Sequence, residues 1–209
     1  MKKAMFILLI LAWVQAFAQA EVNKKEIRTL HDRKGSGFYL AGTVGYSRME
    51  AKDAMTLGGR AAFIFNHSTA VGLAGYGFFN NLDGYNLPAG GMNWYSLAGG
   101  YGGVFIEPIV GGSRPLHVSF PVLFGMGGAG LVRNTGQGTW DDYFDVELPE
   151  TDFFFIVEPA MDLELNLTSF FRLAITISYR FTSDITLTGK APDVLQGANI
   201  GLTFKLGKF

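Results

Sequence analysis

The sequence predicts an all-β chain, an eight-stranded antiparallel up-and-down transmembrane β-barrel with short periplasmic turns and longer extracellular loops. Three observations predict it. The chain opens with an export signal. Beyond that signal no apolar run reaches the length of a spanning helix. In place of such runs come stretches of about ten residues in which apolar and polar side chains alternate, the length and period of membrane-spanning strands.

The signal comes first. Lys2 and Lys3 give a positive start, Ala4 to Val14 is apolar, and Ala16-Phe17-Ala18 and Ala18-Gln19-Ala20 are overlapping A-x-A sites. That is the layout of a secretory signal peptide, and the apolar run is shorter than the roughly 20 residues that cross a bilayer as a helix. Residues 1–20 are therefore expected to be removed, after Ala18 or Ala20. Cysteine is absent, which excludes disulfides, thiol catalysis, cysteine-held metal and a lipoprotein anchor. Charged residues make up 17% of the chain, against about 25% in an ordinary soluble domain. The 28 glycines argue against a helical protein, because each interior glycine costs a helix about 1 kcal/mol. A net charge of -1 with no basic face makes nucleic acid an unexpected partner.

Residues 21–36 are polar, charged and aperiodic, and are expected to form a periplasmic tail. The barrel is expected over 37–209, with strands at 37–48, 55–65, 69–79, 93–110, 116–131, 151–165, 170–182 and 197–206. Tight turns fall at Asn66-His67-Ser68, at Gly111 to Pro115, and at Leu167-Thr168-Ser169. Long connections fall at 80–92, 132–150 and 183–196, and a brief one at 50–54. Short turns alternating with long loops are the outer-membrane pattern, with the turns in the periplasm and the loops outside. An even strand count then puts both chain ends on the periplasmic side.

The sixth and seventh strands say which face is which. Phe153, Phe155, Val157, Pro159, Met161, Leu163 and Leu165 share one face of the sixth, and Phe171, Leu173, Ile175, Ile177, Tyr179 and Phe181 one face of the seventh. The opposite faces carry Glu158, Asp162 and Glu164, and Arg172, Ser178 and Arg180. The inside of an eight-stranded barrel is only wide enough for its own side chains. Six or seven large apolar groups per strand would overfill it, so the apolar face is expected to meet lipid. Phe38, Tyr46, Trp94, Phe153, Phe170, Phe171, Tyr179, Phe181 and Phe204 are candidates for the aromatic girdles at the two membrane rims. The phase of the third strand is ambiguous.

The segments Gly37 to Gly42, Val157 to Asn166, Arg172 to Arg180 and Gly201 to Phe209 resemble the small eight-stranded outer-membrane barrels, the class that contains the OmpA transmembrane domain, and within it the Bacteroidetes barrels. The resemblance spans 37–209. It implies a bacterial outer-membrane location and a terminal strand read by the barrel-assembly machinery through a final aromatic residue. Phe209 supplies one, but it falls off the face shared by Ile200, Leu202, Phe204 and Leu206.

Several motifs bear on chemistry. Gly125-Met126-Gly127-Gly128-Ala129-Gly130 matches G-x-G-x-x-G, but no helical period follows it, as a dinucleotide site requires, so these are expected to be strand glycines. His117 and Ser119 share an inward face and resemble the His-x-Ser pair of outer-membrane lipid A deacylases. The position after Ser119 is Phe120, where those enzymes carry Asn. A hydrolase also needs its serine beside a base with a third group orienting that base, so His117 and Ser119 are weak catalytic candidates, and Glu107 could pair with His117 across the turn. Arg60, Arg172, Arg180 and Lys205 are expected inside the barrel opposite Glu107, Glu158, Asp162 and Glu164. Equal numbers of both signs favour a structural ion-pair network over acid–base work. With a three-residue turn, Glu164 is expected to face Arg172, and Glu158 to face Ser178 with Arg180 one diagonal step away. Trp140, Asp141, Asp142, Tyr143 and Asp145 form an acidic, aromatic stretch of an outer loop, a candidate surface for an extracellular ligand, although no calcium-loop spacing occurs there.

The expectation is thus a monomeric, plugged, non-enzymatic barrel, with no metal or cofactor, surrounded by outer-membrane lipid and serving a structural or surface-adhesion role. The alternatives are a lipid-modifying enzyme and a narrow pore.

Overall fold

The computed structural model describes residues 36–49, 52–80, 95–133 and 147–209. The expected signal peptide, the tail before Ser36, the connections at 50–51, 81–94 and 134–146, and with them Trp94, Trp140, Asp141, Asp142, Tyr143 and Asp145, lie outside the described residues.

The strands are β1 (Gly37–Met49), β2 (Lys52–Phe65), β3 (Thr69–Asn80), β4 (Tyr95–Val110), β5 (Leu116–Ser119), β6 (Val122–Arg133), β7 (Glu147–Asn166), β8 (Phe171–Thr182) and β9 (Gly197–Lys208). All pairings are antiparallel, and β9 returns to β1 to close the ring. Eight staves result, because β5 and β6 are two parts of one stave broken at Phe120-Pro121. Proline has no N–H to give to a ladder. The break is local. Phe120 N donates to Pro108 O at 2.9 Å and Ala160 N to Pro121 O at 2.7 Å. The register with β7 runs through it, Ser119 facing Asp162 and Val122 facing Pro159.

The expected strands are all present, and several extend further than the alternation suggested. β2 begins at Lys52, where it faces Met49, and β7 begins at Glu147. The hydrogen-bonded ladder continues past the apolar belt into residues whose polarity hides it. At the other end of β2 the turn is tight. Asn66 and His67 both have φ of 52°, the paired left-handed conformation whose twist matches that of the flanking strands.

The turn after β7 corrects one expectation. Asn166, not Glu164, faces Arg172, and Glu164 faces Ala174, a shift of two positions. The connection holds four residues rather than three, because Leu167 N and Thr168 N both donate to Phe171 O at 3.1 Å and the Thr168 hydroxyl accepts from Phe170 N at 3.3 Å. Those bonds take Phe170 out of the pairing with β7, while its carbonyl still accepts from Gly207 N of β9 at 2.9 Å.

The apolar face points outward as expected. Phe38, Leu40, Val44, Phe63, Phe124, Phe155, Leu163, Ile175, Ile177, Leu202 and Leu206 are all exposed on the outside of the staves. Of the girdle candidates, Phe38, Tyr46, Phe153, Phe170, Tyr179 and Phe204 are exposed, and Phe171 and Phe181 are half-buried. The third strand resolves with Val71, Leu73 and Phe79 outward and Ala70, Ala74 and Phe78 inward.

The glycine motif at 125–130 lies within β6, apart from any helix. Its inward members clear space. A Cβ on Gly127 would come within 2.6 Å of Tyr101 Cβ and 2.7 Å of Phe154 Cζ, and one on Gly125 within 2.2 Å of Gly102 O.

Candidate functional site

The inside of the barrel is stacked in three layers, and the alternation of each strand decides what each layer holds. The layer nearest the short turns is a charge cage around Lys205. This residue lies on β9, directly across from Ala41 on β1 and Arg172 on β8. Its Nζ is 2.5 Å from Glu107 Oε1, 2.7 Å from Glu164 Oε1 and 3.0 Å from Asp162 Oδ2. Arg60 Nη1 lies 3.1 Å from the same Asp162 oxygen, and Arg172 Nη1 lies 3.4 Å from Glu164 Oε2. Three carboxylates thus meet three cations. Glu107, Asp162 and Glu164 are each 0% exposed and Lys205 1%, so bulk water does not weaken these pairs. Neutral donors complete the cage. Tyr39 donates its hydroxyl to Glu107 Oε2, and the Ser119 hydroxyl lies 2.6 Å from Glu107 Oε1 and 2.5 Å from Glu164 Oε1.

Those three carboxylates bring oxygens within 4.8 Å of one another, a donor set of the kind hard cations use. In this barrel the lysine ammonium sits among them, so the cation is covalently part of the chain.

His117 and Ser119 both point inward, as their phase required, and are 5% and 0% exposed. They do not form a nucleophile–base pair. His117 Nε2 lies 3.1 Å from Glu164 Oε2 and 3.3 Å from Arg172 Nη1, while Ser119 is bound to Glu107 and Glu164. The expected Glu107–His117 contact is replaced by Glu107–Ser119. The register explains the change. His117 stands directly across from Glu164 on β7, whereas Ser119 faces Ile109 on β4, two positions from Glu107.

The cage is covered from below. Phe209 lies inside the wall, its ring 3.8 Å from Arg172 Cζ and 6.1 Å from the Tyr39 ring. It is off the lipid face, as its phase implied. Arg172 Nη2 also reaches Gly112 O at 3.4 Å, and Asn166 Nδ2 reaches it at 3.2 Å. These bonds fasten the 111–115 turn under the cage.

The middle layer is built around Glu158. Its carboxylate accepts from Ser178 Oγ at 2.5 Å, Asn199 Nδ2 at 2.9 Å and Tyr101 Oη at 2.6 Å. The expected facing of Glu158 and Ser178 is corrected by the same two-residue shift: Ser178 faces Ala160 and reaches Glu158 as a diagonal neighbour, and Arg180 has turned away from Glu158. Arg180 Nε instead donates to Leu195 O at 2.6 Å, with Ser47 Oγ at 3.4 Å from Nη2. Its guanidinium carbon lies 5.5 Å from the Phe78 ring and 5.9 Å from the Tyr101 ring, distances at which aromatic faces attract a cation.

Leu195 belongs to the third layer, which the sequence reading did not anticipate. The 183–196 segment, expected as an outer loop, folds into the barrel mouth. Ile185, Leu187, Val194 and Leu195 are buried there in one apolar cluster with Phe78, Leu97, Phe154 and Ile156. Besides the Arg180 bond to Leu195 O, the segment is fastened by Thr186 N to Asp152 Oδ2 at 2.6 Å, Ser183 N to Phe155 O at 3.0 Å, Phe155 N to Ser183 Oγ at 3.1 Å and Gln196 Nε2 to Thr182 O at 3.0 Å. Apolar residues spaced at 185, 187, 194 and 195 were its only sequence signal, and a loop has no period to turn that spacing into a direction.

The expected partnership of Glu164 and Arg172 survives the shifted register as a diagonal contact. Because Lys205 continues to hold Glu164, Arg172→Ala should cost roughly 1.5–3 kcal/mol, the scale of a hydrogen bond to a charged group. The Glu164→Ala/Arg172→Ala double variant should lose less than the two single losses together. Urea unfolding of all four proteins in one detergent measures this, and strictly additive losses would show that the pair does not interact.

A closed ring of eight antiparallel staves, apolar outside and charged inside, defines the class: this is the fold of the small outer-membrane β-barrels. Within it the chain is similar to Neisserial surface protein A of Neisseria, with a TM-score of 0.52 at 11% identity, over 84% of this chain and 97% of that one. Weaker likenesses are to Ail, the attachment invasion locus protein of Yersinia pestis (TM-score 0.44, 14% identity, 83% and 98% of the two chains), and to the outer membrane protein OprG of Pseudomonas aeruginosa (0.44, 10%, 83% and 95%). No protein-family model and no curated protein matches the sequence.

Proposed function

We propose that the protein is a non-enzymatic, monomeric outer-membrane barrel, sealed by its own side chains, whose role is structural or adhesive and is exercised by its outer loops. One observation carries this: Glu107, Asp162, Glu164, Arg60 and Arg172 are consumed by one another and by Lys205 at the centre of the cage. Among the described residues, a substrate in the lumen would find no uncommitted base and nucleophile side by side. In this reading outer-membrane lipid covers the apolar belt and the barrel-assembly machinery engages the terminal strand. An extracellular ligand meets the stretch containing Trp140, Asp141, Asp142, Tyr143 and Asp145. Export removes the signal after Ala18 or Ala20, and kinship lies with OmpA-domain-like barrels of Bacteroidetes.

The test compares two variants on Gram-negative cells. Deleting residues 134–146 should leave a folded barrel and reduce surface attachment to near the level of cells lacking the protein. His117→Ala with Ser119→Ala should leave the acyl content of radiolabelled lipid A unchanged. A change in lipid A acylation tied to His117 and Ser119 would instead establish a lipid hydrolase.

A further inference from the structure

The 183–196 segment fills the barrel mouth, and Arg180 lies beneath it. Arg180 is 0% exposed. Among the described residues its hydrogen-bond partners are neutral, Leu195 O on Nε and Ser47 Oγ on Nη2, and its Nη1 has none. Two positions nearer the mouth on the same strand, Thr182 stands across from the inward, buried Ile156. Its buried hydroxyl is likewise without a partner among the described residues. A cation taken out of water is best compensated by an opposite charge that also accepts its hydrogen bonds. We propose that the mouth is a binding site for a small apolar monocarboxylate, whose carboxylate pairs with Arg180 and whose tail takes the place of the plug side chains.

The plug itself indicates what fits. Leu195 O occupies the place of one carboxylate oxygen on Arg180. Leu187 and Leu195 supply the apolar body, in one cluster with Phe78, Leu97, Phe154 and Ile156. A single carbonyl is an incomplete partner for a guanidinium. A carboxylate accepts two parallel N–H bonds from its planar fork and brings the missing charge, so donors that the carbonyl leaves idle come into use. The Thr182 hydroxyl offers a further donor on the same face. The charge of the ligand is limited to one: Arg180 would leave part of a dianion, such as a phosphate monoester, buried and uncompensated. Its tail is limited to apolar groups, because the wall around the plug offers a polar tail no compensating bonds. The segment can leave without opening the floor, since the cage bonds around Lys205 involve none of its residues. Ligand exchange at the mouth therefore adds to the closed-barrel reading and leaves it standing.

The test uses the refolded barrel in nanodiscs, with octanoate as the probe. Octanol and octylammonium are the controls, since they carry the same tail into the same lipid without the carboxylate. Trypsin cleavage after Lys190 reads displacement of the segment. A ligand that binds only the open mouth raises the open population in proportion to its concentration, so cleavage should rise roughly tenfold at about ten times the dissociation constant. Octanol and octylammonium should leave the rate unchanged. Arg180→Gln should start from a faster rate and gain nothing from octanoate. Thr182→Val should start from the parent rate and need several-fold more octanoate for the same acceleration. The proposal is overturned if octanoate fails to accelerate cleavage of the unmutated barrel up to its solubility limit. Equal acceleration by octanol, or by octanoate in the Arg180→Gln barrel, overturns it as well, because either would trace the effect to the lipid and not to the guanidinium.

Discussion

Lys205→Met is expected to be among the most damaging single substitutions in the barrel. It removes the one cation that touches all three cage carboxylates and leaves Glu107, Asp162 and Glu164 within 4.8 Å of one another. Breaking a buried ion pair by deleting one partner typically costs about 3–5 kcal/mol, since the survivor stays charged in a low-dielectric place. Here two of the three survivors keep an arginine, Asp162 with Arg60 and Glu164 with Arg172, and Glu107 keeps only neutral donors. The expected loss is therefore at the upper part of that range, read as a lower urea midpoint and an earlier loss of the compact band on unheated gels. Adding Glu107→Gln to Lys205→Met should recover a good part of it, because the carboxylate left without a cation is then gone. A Lys205→Met barrel as stable as the parent would mean that the cage is not what holds the interior.

Arg180→Ala should act at the opposite end. Arg180 is fully buried and its Nε donates to Leu195 O at 2.6 Å. Charge-assisted bonds of this kind contribute about 1.5–3 kcal/mol, and each 1.4 kcal/mol is tenfold in an equilibrium. The plug should therefore open roughly 10–100-fold more often. Trypsin cleavage after Lys190, in the plug segment, reads that opening directly and should accelerate by the same factor, with the cage and the global midpoint much less affected. An unchanged cleavage rate would show that the remaining anchors, Asp152 to Thr186, Phe155 to Ser183 and Thr182 to Gln196, hold the segment without it.

These two ends of the barrel were unequally legible in the sequence. The cage residues could be placed because β7, β8 and β9 alternate cleanly. Once Phe153, Ile175 and Phe204 were outside, Glu158, Glu164, Arg172 and Lys205 had to be inside. Their pairing was less accessible. It depends on register, and the register after β7 depends on whether Phe170 stays in the ladder, a matter settled by the Thr168 hydroxyl. His117 and Ser119 were placed inward correctly, but which carboxylate each one meets is a cross-strand fact that one strand's pattern does not contain. The neutral donors Tyr39, Tyr101 and Asn199 follow the same alternation, yet they carry no charge that calls for a partner. β3 was ambiguous because Ala70, Ala74 and Phe78 make its inward face as apolar as its outward one. The plug was not visible at all, since a segment with Gly189 and Pro192 and no period gives no direction to its apolar side chains.

In the proposed reading, side chains and plug together close the barrel. Single-channel recording in planar bilayers tests it most directly, with the refolded protein inserted at low density and voltages of both signs applied. A flat baseline is expected from the unmutated barrel, with the Lys205 cage intact near the short turns and Leu195 seated in the mouth. A steady open conductance level from the same protein would contradict it.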